Sequence, residues 1–158
     1  SELKTFKVAL TNPYNIEEDN DYLKKPFEEK GFTTVFVIPS KLNELKPDPE
    51  VEVLFFVAEF HENLLPIIDK FPKLKWIHTW SVGISGIIPH RKILEDRSIV
   101  ISNGRGLFST SLAEFALSGL FYFEKNFPLF AQLKSEKNWK RESVNMLADK
   151  TLGIIGYG

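Results

Sequence analysis

The 158 residues contain no cysteine, a single methionine and almost no net charge. Without cysteine there can be no disulfide, thiolate metal site or cysteine nucleophile, which fits a reducing compartment and makes the cytoplasm the expected location. Twenty Lys and Arg stand against 21 Asp and Glu, a formal charge of −1, so there is no basic footprint for nucleic acid. Long hydrophobic runs are also missing. The charge-free stretch 76–90 is broken by Gly83, Gly86 and Pro89 and falls short of the roughly 20 apolar residues a membrane helix needs, so no membrane partner is expected. Residues 1–7 carry Glu2, Lys4 and Lys7 and have no apolar export core. What is present is 43% hydrophobic and 26% charged residues, with 14 Phe, 4 Tyr and 3 Trp. That is enough large apolar surface for a packed core, in one domain or one and a fraction.

Short apolar runs alternate with helical patterns. Residues 6–10, 35–38, 51–58, 74–80 and 99–101 read as strands rich in Val, Ile and Phe. Between the first two strands, Tyr22, Leu23 and Phe27 form one stripe of a helix over 17–30, which Gly31 ends as a C′ residue. A further short helix is expected over 63–71. Strands that are apolar on both faces and alternate with helices predict an α/β fold, a flavodoxin-like doubly wound parallel sheet. From Ser111 a new helix begins, with Glu114 completing a capping box. Its positions 112–123 are almost wholly apolar, which predicts that protein covers most of its sides at a domain junction or dimer contact. A sixth strand is expected over 151–155, followed by Gly156-Tyr157-Gly158.

A strand followed by Gly-x-Gly is the first half of a dinucleotide-binding fingerprint, in which glycines let backbone N–H groups approach a pyrophosphate at a helix N-terminus. The third glycine, the helix and the acidic ribose ligand would all fall after Gly158. The expectation is therefore a chain cut short inside a nucleotide-binding domain. The other reading of Gly156 and Gly158 is an ordinary strand-ending turn.

Three blocks taken together carry more. Residues 74–84 read LKWIHTWSVGI, residues 101–106 read ISNGRG with SLAE at 111–114, and residues 150–158 read KTLGIIGYG. In order and spacing they resemble the D-isomer-specific 2-hydroxyacid dehydrogenase family over residues 50–158, while the first fifty residues agree in architecture alone. The resemblance implies two doubly wound domains, hydride transfer between NAD or NADP and a small 2-oxo acid of the glyoxylate or hydroxypyruvate kind, and a homodimer. Residues 1–105 would form the substrate domain, 106–150 the crossing and dimerisation helices, and 151–158 the start of a truncated nucleotide-binding domain with its linker helix before it.

The resemblance also implies that Ser81, Val82 and Gly83 form the loop whose backbone N–H groups hold the substrate carboxylate. Consecutive N–H groups in a Gly-containing turn make an anion-binding concavity without a cation, although a plain strand-to-helix turn has the same composition. Gly156, Tyr157 and Gly158 would touch the cofactor. Many relatives have Asp where Ser85 stands; if that residue caps a helix, Ser is an equivalent acceptor. The family's catalytic Arg, His and Glu match no position of these 158 residues, so no catalytic residue is assigned and the chain alone is expected to be inactive. His78, between Trp76 and Trp80, reads as a packed strand residue, and Arg105 as a solvated loop charge. His61 and Glu62 lack the second His of a zinc helix. Two rivals remain. One is a non-enzymatic, NAD-sensing or corepressor-like member of the same fold family. The other is a free-standing flavodoxin-like module, for which the acidic residues of a phosphoacceptor domain are missing after the first strand.

Overall fold

The structure is a computed structural model that describes residues 6–11, 21–56 and 62–156. It divides into two compact units, Ser1–Gly106 and Leu107–Gly158.

In the first unit, β1 (Lys7–Thr11), β2 (Thr33–Val37), β3 (Val51–Phe56), β4 (Trp76–Thr79) and β5 (Val100–Asn103) form one five-stranded sheet. Every pairing is parallel and the order is β2-β1-β3-β4-β5. This is the flavodoxin-like order, and the doubly wound parallel sheet read from the alternating pattern is the observed one. Parallel neighbours demand crossovers. Among the described residues these include α1 (Asp21–Glu28), α2 (Leu64–Lys70) and α3 (Arg91–Asp96), with Gly31 just past α1 at φ +84°. The helix read over 17–30 is seen from Asp21, and residues 17–20 lie outside the described ones, as do 57–61 beyond the end of β3.

Strand alternation divides the core. Ala9, Val37, Leu54, Phe56 and Ile77 face one side, where Leu64, Ile67 and Ile68 of α2 and Leu94 of α3 cover them. Val8, Leu10 and Val53 face the other side, against Leu23 and Phe27 of α1. Val51 shares the face of Leu54 because the β1–β3 register slips by one residue between Val51 and Val53. The second face is less completely covered. Phe27, Phe32, Phe55 and Trp76 border a groove of about 510 Å³ there.

The second unit holds α4 (Ser109–Glu124) and α5 (Phe127–Ser135). Two expectations are corrected here. The capping box at Ser111 and Glu114 does not form: α4 starts two residues earlier, at Ser109, behind Phe108, which makes no side-chain cap bond. Ser111 is then already helical, whereas a capping residue needs an extended backbone. Along α4, Leu112 is 65% and Phe115 77% exposed. Finally, the strand expected over 151–155, which would have opened the nucleotide-binding domain, is absent. A strand exists only with a neighbour for its ladder, and the second unit contains no other strand among the described residues, leaving Leu152, Ile154 and Ile155 exposed. No described helix is long and apolar enough to cross a membrane.

Candidate functional site

In open parallel sheets, ligands bind outside the carboxyl ends of the strands. There β4 ends at Thr79 and β5 at Asn103, paired in register. The chain leaves β4 through Trp80 into the loop Ser81, Val82 and Gly83, which therefore lies at the carboxyl end of the sheet.

That loop is braced from one side. The fully buried Thr79 accepts a hydrogen bond at Oγ1 from the Ser81 N–H (3.3 Å). The Gly104 N–H donates to the Ser81 carbonyl (3.3 Å), and the Asn103 side-chain amide donates from Nδ2 to the Val82 carbonyl (2.7 Å). The N–H groups of Val82 and Gly83 have no partner among the described residues, and both residues are exposed. A Cβ built on Gly83 would meet nothing within 4 Å, so the space beside it is open. Unpaired, outward N–H groups at a strand end can hold a carboxylate by charge-assisted hydrogen bonds.

The sequence did not point to Asn103, Gly104 and Thr79 as supports. Asn103 and Gly104 lie within a quoted block, but their relation to Val82 and Ser81 exists only once β4 and β5 lie side by side. Ser85 lies in a turn that leads into the 3-10 stretch Ile88–His90 and caps no helix; α3 begins behind His90.

His78 sits away from the loop, half-buried on the less covered face of the sheet. Its Nδ1 is 2.8 Å from Ser102 Oγ, which also accepts from Trp76 Nε1 (2.7 Å), and its ring lies 4.8 Å from that of Phe55. Burial holds the imidazole below its ordinary pKa. This is a packed, hydrogen-bonded strand residue. Arg105 is exposed, and among the described residues no group of three or more metal-ligating side chains occurs. His61 lies outside the described residues.

In the second unit Gly156 has φ +87°, a left-handed backbone suited to glycine, with open space where a Cβ would stand. Tyr157 and Gly158 lie outside the described residues. Since residues 151–155 form no strand, the described residues do not assemble a dinucleotide cradle.

No protein-family model matches the sequence, and no curated protein is significantly similar to it. Solved structures do match. A D-isomer-specific 2-hydroxyacid dehydrogenase family protein from Aeromonas salmonicida superposes on 92% of this chain with a TM-score of 0.64 at 17% identity. The fold is that of these dehydrogenases. The NADPH-dependent glyoxylate/hydroxypyruvate reductase of Sinorhizobium meliloti, solved with citrate, matches 93% of the chain (TM-score 0.63, 20% identity). The D-lactate dehydrogenase of Aquifex aeolicus, solved with NAD and lactic acid, matches 86% (TM-score 0.58, 22% identity). The chain spans 44%, 44% and 39% of these three dehydrogenases, less than half of each.

Proposed function

We propose that the chain is the substrate-binding part of an oxidoreductase that moves a hydride between NAD or NADP and a small 2-oxo acid, with the substrate carboxylate held by the N–H groups of Val82 and Gly83. The observation that carries this reading is the braced loop: its carbonyls are engaged by β5 and its two N–H groups are left unpaired. The fold supports it, since the similar structures include reductases and dehydrogenases of small 2-oxo and 2-hydroxy acids. The nicotinamide cofactor supplies the hydride when bound. The loop's task is to fix the carboxylate end of the substrate, which holds the neighbouring 2-oxo carbon in place for reaction. In the same reading residues 1–105 are the substrate domain, residues 106–150 carry dimer contacts, and Gly156, Tyr157 and Gly158 open the nucleotide site. The exposed apolar side of α4 supports a homodimer, and the absence of cysteine a reducing, cytoplasmic setting.

The test has two arms. Titration of the isotope-labelled chain with sodium pyruvate is expected to shift the Val82 and Gly83 amide resonances saturably, with sodium chloride at equal ionic strength giving no such shift. The same chain with NADH and glyoxylate is expected to consume no NADH. Silent amides at 82 and 83 would overturn the carboxylate site; turnover would overturn the expectation that this chain alone is inactive.

A further inference from the structure

A trans peptide unit points its C=O and the following N–H in opposite directions, and the described chain contains no cis peptide bond. The direction of an N–H is therefore set by whatever holds the carbonyl of the residue before it. The Ser81 carbonyl is held by the Gly104 N–H (3.3 Å), and the Val82 carbonyl by Asn103 Nδ2 (2.7 Å). Both donors lie where β5 ends, on one side of the loop. The Val82 and Gly83 N–H groups, which share those two peptide units, must then point away from β5.

We propose that Asn103 is a positioning residue that aims the Gly83 N–H, while the Gly104 backbone aims that of Val82. This inference rests on the carboxylate-binding reading of the loop and deepens it by dividing the two anion contacts between two separate supports. The division is unequal in character. The Gly104 support is main chain and survives any substitution that keeps the strand. The Asn103 support is one side-chain amide, half-buried at a strand end, and it is removable. Without it the peptide unit between Val82 and Gly83 can rotate, and the Gly83 N–H no longer has a fixed direction before the anion arrives. Preorganisation is lost, and the ordering cost falls on binding. Leu at this position matches Asn in size and cannot donate. His at the same position carries a ring N–H able to take the place of the amide donor.

The experiment uses the labelled 158-residue chain and sodium pyruvate, followed at the separate amide resonances of Val82 and Gly83. In the wild type both shift saturably. In Asn103→Leu and Asn103→Ala, Val82 is expected to shift still, at about tenfold weaker affinity, the size of one hydrogen bond to a charged group, while the Gly83 response disappears. Asn103→His is expected to restore the Gly83 response. Two variants of different size guard against one failing to fold, and far-ultraviolet circular dichroism checks each. Unchanged responses at both amides in Asn103→Leu and Asn103→Ala would overturn the role of Asn103 and leave the carboxylate site standing. Equal loss at both amides would overturn it too, as a general loosening of the loop. No saturable response in the wild type would overturn the carboxylate reading itself, and this inference with it.

Discussion

Lys7 Nζ lies 2.7 Å from Asp48 Oδ2, tying the first residue of β1 to the polar link that precedes β3. Each side chain is about three-quarters covered. The hydrogen bond to Lys7 holds the Asp48 carboxyl below its usual range, and the bond to Asp48 raises the Lys7 ammonium. A carboxylate whose folded pKa is depressed contributes stability that is present above its unfolded pKa and is lost as the pH falls through its folded pKa. The chain is therefore expected to lose stability below about pH 4, and Asp48→Asn to flatten that acid limb while costing at most about 1 kcal/mol at neutral pH. Urea melts at stepped pH values check it; an unchanged acid limb in Asp48→Asn counts against the pair.

His78 acts in the same direction at a higher pH. Burial lowers its folded pKa, so the unfolded chain takes up the proton first as the pH drops through about 6.5. Stability is fully present above that value and declines below it. His78→Gln is expected to remove this component, seen as a shallower slope of unfolding free energy between about pH 6.5 and 5. Titration of the His78 ring resonances at or above the ordinary histidine value would contradict it.

Arg97, just past α3, donates from its two terminal nitrogens to the carbonyls of Ile68 (3.1 Å) and Phe71 (2.8 Å) at the end of α2. Each of these carbonyls also accepts a backbone N–H, from Phe71 and Leu74 respectively, so Arg97 adds a second, charged donor to both and ties the end of α3 to the end of α2. Arg97→Ala is expected to cost about 2 kcal/mol, from the loss of two charge-assisted bonds at a half-buried site. Chemical denaturation measures it, with Arg97→Lys recovering part of the loss. An effect below about 0.5 kcal/mol would show the contacts to be idle.

On α4, Leu112 and Phe115 lie one turn apart and are 65% and 77% exposed. If a second copy covers this face, Leu112→Glu with Phe115→Glu should weaken self-association by at least tenfold, since each side chain's burial contributes about 1.5–3 kcal/mol. Sedimentation of wild type and variant over a concentration series tests it. A wild-type chain that stays monomeric at high concentration refutes the dimer.

Local pattern carried far in this protein. The Val- and Phe-rich runs of β1 to β3 and the stripe of Tyr22, Leu23 and Phe27 mark strands and helix without tertiary knowledge, because their burial requirements repeat with the period of the backbone. Such reading failed at Ser111 and over 151–155. A capping box describes a local option that the chain declined when α4 extended back to Ser109. A strand depends on a partner that local sequence does not contain.

The candidate site divides the same way. A small-residue turn at residues 81–83 was legible, because glycine beside the end of an apolar strand signals where the backbone changes course. That its N–H groups lie open and aimed away from β5 was not. Their direction follows from Asn103 and Gly104, about twenty residues further along the chain, meeting the carbonyls of Val82 and Ser81 across the β4–β5 pairing. Composition and periodicity constrain what each segment can become, since they act over a few residues. Hydrogen bonds between segments distant in the chain arise from register, and register is a property of the assembled sheet.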